Sequence, residues 1–121
     1  MSRTDHYSTI HAAIRLTAKA HGIEGYATRV VLAIAEHGPR VRSDELESLL
    51  GEDGSAMRRA LLHLYGRKLA RGIGDGGGPR RPGVRSVVTL TAAGEAIAVE
   101  IQRRISAIET AKASEPTRAA A

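Results

Sequence analysis

The side chains best suited to chemistry in this sequence are arginines, and they are concentrated in one third of the chain. Residues 51–91 carry eight basic and three acidic side chains, whereas residues 1–50 carry six of each and residues 92–121 four of each. The whole net charge of +5 therefore arises in 51–91. A basic block of this kind is typical of a surface that binds a polyanion, and a solvated, solubilising face is the alternative.

A glycine-rich stretch at 71–91 lies within this block and contains the dinucleotide-binding pattern GxGxxG at Gly72, Gly74 and Gly77. A dinucleotide site needs these glycines after a strand and at the start of a helix, because the helix N-terminus holds the pyrophosphate. Here they follow a helical segment and precede the β-branched run VRSVVTLT, which excludes that site. We predict a β-hairpin with strands at 71–74 and 85–90 and an arginine-bearing tip.

The residue types and their spacing do not indicate disulfides, metal binding or catalysis. The chain has no cysteine, so it has neither disulfides nor thiolate metal ligands. Its five histidines are not spaced as metal ligands, and no nucleophile elbow or carboxylate pair is present. We therefore expect no enzyme, no catalytic residue, no metal and no cofactor. His11 and His21 fit a polar position in the core or the wall of a pocket for an unknown small-molecule effector, although no aromatic-lined pocket is evident.

Apolar periodicity predicts that the first half of the chain is helical. A first helix covers 6–21, and a second, at 26–36, is apolar on more than one face and is expected to be the central helix. Gly38 suits a left-handed C-cap for the second helix. A short third helix begins with Ser43 as its N-cap and closes at Gly51.

The second half of the chain adds two more helices on either side of the hairpin. One begins at Ser55, and the other follows Thr91, which can cap it. No apolar run approaches 18 residues, so we expect a soluble, cytoplasmic protein without a membrane segment. The expected boundaries are a disordered N-terminus at 1–5, one domain at 6–91, a C-terminal helix at 92–109 and a disordered tail at 110–121.

This order of elements resembles the DNA-binding core of winged-helix transcriptional regulators of the MarR and PadR kind. The resemblance covers residues 26–94 and rests on VVLAIAEHGP, SDELESLLG, SAMRRALLHLYGRKLAR and VVTLTAAGEAI. The last stretch is similar to the LTxxG signature that follows the wing in this group. The resemblance implies a mainly α fold with a small β-hairpin, the winged helix-turn-helix. Two features depart from the pattern: Lys68 stands where a glycine usually ends the recognition helix, and the wing lacks an Asp-x-Arg signature.

In a helix-turn-helix the second helix lies in the major groove, where its outward residues reach the base edges. Arg58 and Arg59 are the expected readers, because the guanidinium fork matches O6 and N7 of guanine; two solvated arginines are the alternative. The other expected contacts from this helix are Ser55, Ala56, Leu62 and His63. Phosphate contacts are expected from Arg42, Ser43, Arg67 and Lys68. Wing contacts are expected from Arg80, Arg81 and Arg85, with a basic loop that makes no fixed contact as the alternative.

An isoleucine stripe runs along the last predicted helix at steps of four, four and three residues. It either completes the core of the chain or pairs with the first helix of a second copy, as the resemblance to MarR dimers implies. We expect a homodimer. The expected interface residues are Ile10, Ile14, Ile97, Ile101, Ile105 and Ile108.

The sequence therefore predicts a dimeric winged-helix protein that binds double-stranded DNA sequence-specifically and regulates transcription, as a repressor that occludes a promoter. Two alternatives stay open. One is a plasmid or phage DNA-binding factor for partition, replication or excision. The other is a winged-helix adaptor that binds proteins and does not read DNA. The concentration of charge on the recognition helix and wing favours DNA, because an adaptor has no need of it.

Overall fold

The computed structural model of the chain describes residues 3–51, 54–73 and 87–113, with side chains from residue 7 onward. Five helices and the two hairpin strands follow one another in the predicted order, with one further short strand between the second and third helices, which confirms the mainly α winged-helix architecture. The elements are α1 (Arg3–His21), α2 (Gly25–His37), β1 (Val41–Arg42), α3 (Ser43–Leu50), α4 (Gly54–Gly66), β2 (Ala70–Ile73), β3 (Val87–Leu90) and α5 (Ala92–Ala113).

Helix α2 is the central helix, as its all-round apolar pattern predicts. Its residues Val30, Val31 and Ile34 are at most 1% exposed, and it contacts α1, α3, α4, α5 and β3. The hydrophobic core around it is built from Leu, Ile, Val, Ala and one Met, without any Phe or Trp. Burial of this apolar surface is the main favourable term in folding, at about 25 cal/mol per Å².

The strands form one antiparallel sheet in the order β1-β3-β2. The residues of strand β3 alternate in burial as predicted. Val88 and Leu90 are buried, whereas Val87 and Thr89 are only partly buried. It pairs with β2 through Ala70 opposite Leu90, and with β1 through Val41 opposite Val88. The predicted hairpin is therefore part of a three-stranded sheet. Strand β1 was not predicted, because two residues are too short for a recognisable alternation.

Of two glycines predicted to end helices, one has the expected backbone conformation and the other does not. Gly51 ends α3 with φ 68°, the left-handed conformation that glycine adopts without steric cost. Gly38 was expected to be left-handed too, but its φ of −78° and ψ of −166° are extended. What requires glycine at this position is space, because a Cβ atom there would lie 2.6 Å from the carbonyl oxygen of Ile34.

Three hydroxyl residues were expected to cap helices, and one of them does so; Ser55 is the second residue of α4, which begins at Gly54. Thr91 caps α5, since its Oγ1 accepts a hydrogen bond from the backbone N–H of Gly94 at 3.2 Å. Ser43 is instead the first residue within α3, and Arg42 occupies the N-cap position. Ser43 is also only 3% exposed, so its hydroxyl faces the protein interior.

Helices α1 and α5 lie side by side and antiparallel. Lys112 Nζ donates to Thr9 Oγ1 at 2.8 Å near one end of the pair. At the other end, His21 Nε2 lies 3.0 Å from Glu100 Oε1. Helix α5 continues to Ala113, so the helix extends past the expected boundary at residue 109. Likewise α1 begins at Arg3, within the stretch expected to be disordered.

The isoleucine stripe lies along the contact between these two helices. The stripe was expected either to complete the core of the chain or to form a dimer interface, and burial now distinguishes the expected residues. Ile14, Ile97 and Ile101 are at most 6% exposed within the single chain. These three complete the chain's own core, so they are not available as an interface in this conformation. The other residues of the expected interface are only partly buried: Ile10, Ile105 and Ile108.

Candidate nucleic-acid interface

Helix α4 presents one apolar and one cationic face. Its buried residues are Met57, Ala60, Leu61 and Leu64, spaced at three and four residues along one side. The opposite side carries Arg58 and Arg59, and both are exposed. Neither forms an ion pair within the part of the chain that the structure describes. Two guanidinium groups are thus free to bind an external acceptor.

The remaining outward residues of α4 are small or apolar. Ser55 is exposed in the first turn, and Ala56 beside it is half-buried. Leu62 is 49% exposed, although leucine is among the residues most often buried. An exposed Leu next to arginines suits a DNA groove, where apolar side chains contact the methyl group of thymine.

His63 was expected on the outward face of α4, and the structure places it elsewhere. The side chain is half-buried, and its Nε2 accepts a long hydrogen bond of 3.4 Å from the backbone N–H of Glu24. His63 therefore contacts the start of α2 and does not point away from the protein. Periodicity put it outside because it lies at the border between the two faces of α4.

Arg67 was expected to contact phosphate; in the structure it is exposed, and its guanidinium is hydrogen-bonded to the end of α1. Its guanidinium donates to the carbonyl oxygen of His21 at 2.7 Å and to that of Gly22 at 3.0 Å. These carbonyls belong to the C-terminal end of a helix, where the partial negative charge of the helix dipole favours a cation. The partners lie more than 40 positions away in the sequence, so no local pattern could have revealed the contact.

Lys68 is exposed, as a phosphate contact must be, and it has a positive φ of 60°. Helix α4 ends at Gly66, and Lys68 then adopts the left-handed conformation that a glycine usually supplies. The chain continues into the buried pair Leu69 and Ala70. Lys68 thus stands where a glycine was expected, and its backbone still adopts the left-handed conformation of that glycine.

The two candidate contacts at the start of α3 differ in exposure. Arg42 is exposed, and its Nη2 forms an ion pair of 3.0 Å with Asp44 Oδ2. It remains able to reach a phosphate, with the carboxylate of Asp44 as a competitor. Ser43 is buried, as described above, so its hydroxyl cannot contact a phosphate without local rearrangement.

The base of the wing is formed by β2 and β3. Arg71 in β2 is exposed and lies opposite Thr89 in β3. Sequence reasoning counted Arg71 in the basic block but did not select it as a contact. The sequence feature that could have identified Arg71 as a contact is its position at the start of the predicted hairpin. Arg80, Arg81 and Arg85 lie outside the described residues.

The LTxxG pattern joins the wing to α4 and α5. Thr91 Oγ1 donates to the carbonyl oxygen of Lys68 at 2.7 Å, and the Thr91 backbone N–H donates to that of Leu69 at 3.0 Å. Gly94 allows the Leu69 carbonyl to approach α5, since a Cβ atom at Gly94 would collide with it. The end of the recognition helix, the wing and α5 are thus fixed to one another.

Two side chains near the site have shifted ionisation. The hydrogen bond from His21, together with that from Arg104, lowers the pKa of Glu100. Burial raises the pKa of Tyr65, whose hydroxyl has no hydrogen-bond partner within the described part of the chain.

A cavity of about 390 Å³ opens between α1 and the first turns of α2, away from the cationic face of α4. Its wall includes two aromatic rings and two guanidinium groups, although no aromatic-lined pocket was evident from the sequence. The side chains that line it include Tyr7, Ile10, His11, Arg15, Tyr26 and Arg29.

The described residues offer no site for a metal and no span for a membrane. Among residues 3–51, 54–73 and 87–113, no group of three His, Asp or Glu side chains could hold a metal ion. No helix within the same ranges is both long and apolar enough to cross a bilayer.

A short helix, a turn and an amphipathic helix, followed by a β wing, define the class of winged helix-turn-helix proteins. Among solved structures, the chain is similar to RV1404 from Mycobacterium tuberculosis, with a TM-score of 0.67 and 17% identity over 91% of this chain and 70% of that one. It is also similar to Staphylococcus aureus MarR in complex with salicylate and kanamycin, with a TM-score of 0.71 and 17% identity over 84% and 65%.

A third similar structure is the multiple antibiotic-resistance repressor (MarR) from Listeria monocytogenes, with a TM-score of 0.68 and 14% identity over 87% of this chain and 69% of that one. The chain thus has the MarR winged-helix fold, as the resemblance in its sequence implies. No protein-family model and no curated protein sequence matches it.

Proposed function

We propose that this protein is a transcriptional regulator that binds double-stranded DNA sequence-specifically as a homodimer, and that it represses by occluding a promoter. The observation that carries this proposal is the pair Arg58 and Arg59, which stand exposed and without ion-pair partners among the described residues on the outer face of α4. In a winged helix this face lies in the major groove, where a bidentate arginine is the commonest specific contact to guanine.

The distribution of charge supports DNA over a protein partner. The outer face of α4 and the base of the wing are cationic through Arg58, Arg59, Lys68 and Arg71, all of them exposed. Counterion release from DNA makes such charges favourable, and each phosphate that they neutralise adds to the salt dependence of binding. An adaptor for proteins would gain little from the same arrangement.

Apolar exposure on α1 and α5 supports the homodimer. Tyr7, Leu16 and Val99 are each more than 40% exposed, and Ile105 and Ile108 are only partly buried. A second copy that packs on exposed apolar residues of α1 and α5 around a two-fold axis would present two recognition helices about one helical turn of DNA apart. In this arrangement the interface excludes Ile14, Ile97 and Ile101, which fill the core of each protomer.

The cavity between α1 and α2 supports regulation by a small anionic ligand. It combines the guanidinium groups of Arg15 and Arg29 with the rings of Tyr7 and Tyr26, a set that suits an aromatic carboxylate. The similar structure from S. aureus contains salicylate, a ligand of this class. The proposed effector would change DNA affinity by binding one orientation of α1 on α2 better than another.

The test of the proposed function is selection from a pool of randomised duplexes with the purified full-length chain. The expected product is an enriched sequence with two-fold symmetry whose half-sites are centred about 10 base pairs apart. A pool that shows no enrichment, with binding that is equal for all duplexes, would favour a partition or architectural factor. A chain that binds no duplex even at low salt would favour the adaptor.

A further inference from the structure

We propose that Arg67 and His63 are positioning residues, which fix the recognition helix on the junction between α1 and α2 and do not touch DNA. The inference deepens the proposed function and rests on it. It separates the basic residues of α4 and of the turn after it into two groups: Arg58 and Arg59 are exposed and have no ion-pair partner among the described residues, whereas Arg67 is exposed but hydrogen-bonded to the end of α1.

Arg67 holds the C-terminal end of α1. Its two terminal nitrogens donate to two consecutive carbonyl oxygens, those of His21 and Gly22, at 2.7 and 3.0 Å. A planar guanidinium can satisfy two acceptors at once, which a lysine ammonium does with much less directional control. Gly22 itself has a φ of 64°, so the carbonyls at this helix end are turned outward as in an ordinary left-handed termination.

His63 holds the other side of the same junction. It lies one helical turn before Arg67, and its Nε2 accepts from the backbone N–H of Glu24, the N-cap residue of α2. His63 and Arg67 are four residues apart, which at a rise of 1.5 Å per residue separates their Cα atoms by about 6 Å along the helix axis, with Arg67 directly after the last residue of α4. A helix held at two points on one side can neither slide nor roll independently of the segment 21–24.

The junction is also connected to α5. The imidazole of His21 lies 3.0 and 3.1 Å from the two carboxylate oxygens of Glu100, and Arg104 donates to Glu100 Oε2 at 3.2 Å. His21 thus contacts α5 through its side chain and α4 through its backbone carbonyl. The direction in which Arg58 and Arg59 project is therefore set by the α1–α5 pair as well as by the local turn.

The decisive experiment measures DNA affinity against salt concentration for Arg67→Ala and Arg67→Lys, with the selected and a scrambled duplex. We expect Arg67→Ala to weaken binding to the selected duplex by at least about tenfold, comparable to the loss from one mismatched base pair. The slope of log affinity against log salt should stay that of the wild type, because no phosphate contact is lost. Arg67→Lys should not restore affinity.

The adjacent residue provides a matched contrast. Lys68→Ala removes one exposed charge that we assign to phosphate, so it should reduce the salt slope by about one and leave the preference for the selected duplex unchanged. Arg103→Ala removes an exposed arginine of α5 and should change neither quantity. If Arg67→Ala behaves like Lys68→Ala, and Arg67→Lys restores the slope, then Arg67 contacts phosphate and the inference is wrong.

Hydrogen exchange of the free protein separates this inference from the proposed function. We expect Arg67→Ala to accelerate amide exchange in residues 21–24 and in the last turn of α4, with exchange in the middle of α2 unchanged. If the wild type binds no DNA but this local acceleration is seen, the proposed function fails while the positioning contact stands. Unchanged exchange at 21–24 would overturn the positioning role whatever the DNA result.

Discussion

The carbonyl oxygen of Leu69 occupies the space where a Cβ atom of Gly94 would lie. Leu69 directly precedes β2 and Gly94 lies in the first turn of α5, so this contact brings the backbone at the start of the wing against that of α5. It gives a physical reason for the glycine in the LTxxG pattern. The threonine of the same pattern holds the other side of the joint, through hydrogen bonds to Lys68 and Leu69.

Replacement of Gly94 by alanine should therefore destabilise the protein. We expect Gly94→Ala to lower the free energy of unfolding by about 2–3 kcal/mol, because backbone atoms must move to admit the methyl group. Urea denaturation at neutral pH measures the loss. Gly66→Ala is the matched control, since nothing lies within 4 Å of a Cβ atom there. A Gly94→Ala variant as stable as Gly66→Ala would mean that this close approach does not exist.

Lys68 has a left-handed backbone conformation, so its replacement by glycine should stabilise the protein. A residue with a Cβ atom pays about 1–2 kcal/mol for this conformation, and part of that cost is offset by the lower chain entropy of lysine in the unfolded state. Lys68→Gly should thus raise the free energy of unfolding by about 0.5–1 kcal/mol. Lys68→Ala keeps the Cβ atom and should show no such gain. Equal stability of the glycine and alanine variants would contradict the conformation described for Lys68.

The pH dependence of stability should carry a contribution from Glu100. Its pKa is lowered in the folded protein, first through the hydrogen bond from His21, so folding favours the ionised form. The contribution is fully present above the ordinary pKa of 4.5 and is lost as the pH falls through the lowered value. Glu100→Gln should therefore show a smaller loss of stability between neutral and acidic pH than the wild type.

The control for this measurement is Glu95→Gln, which changes an exposed carboxylate on the same helix. Thermal unfolding at pH values between 7 and about 3 provides the comparison, since acid unfolding reflects carboxylates that are paired in the native state. If Glu100→Gln and Glu95→Gln follow the wild-type curve equally, the contacts of Glu100 with His21 and Arg104 contribute nothing to the pH dependence of stability.

Several parts of the fold could be predicted because they depend on neighbours in the sequence. The three- and four-residue spacing of Met57, Ala60, Leu61 and Leu64 predicted the buried face of α4 correctly. The glycine at 51 and the threonine at 91 predicted helix ends that the structure confirms. Each of these signals is local, since capping and periodicity act within about one helical turn.

The contacts that the sequence could not reveal depend on residues distant in the sequence. Arg67 was predicted to contact phosphate because basic residues near a recognition helix usually do, and local patterns gave no indication of its hydrogen bonds to the end of α1. His63 looked outward because the helical period alone cannot show that the start of α2 covers it. Ser43 fitted an N-cap, and only the three-dimensional structure shows that it is buried inside the first turn of α3.

An aromatic carboxylate should bind the cavity between α1 and α2. We expect salicylate to raise the midpoint of thermal unfolding in proportion to the logarithm of its concentration, with about 2.7 kcal/mol of stabilisation at a hundredfold excess over the dissociation constant. Arg29→Ala removes one of the two guanidinium groups and should abolish most of the shift. Arg103→Ala, on the surface of α5, should retain it. A shift that is equal in both variants would place the ligand elsewhere.

The central claim is that Arg58 and Arg59 read bases, and one comparison tests it most directly. The affinities of the wild type, Arg58→Ala, Arg59→Ala and the control Arg103→Ala are measured for the selected duplex and for a scrambled one of the same composition. The wild type should prefer the selected duplex by at least about a thousandfold. Loss of a bidentate guanine contact costs about 1–3 kcal/mol, so at least one of the two α4 variants should lose between about fivefold and a hundredfold of that preference. A wild type without preference, or a preference that both α4 variants keep in full, would contradict the account.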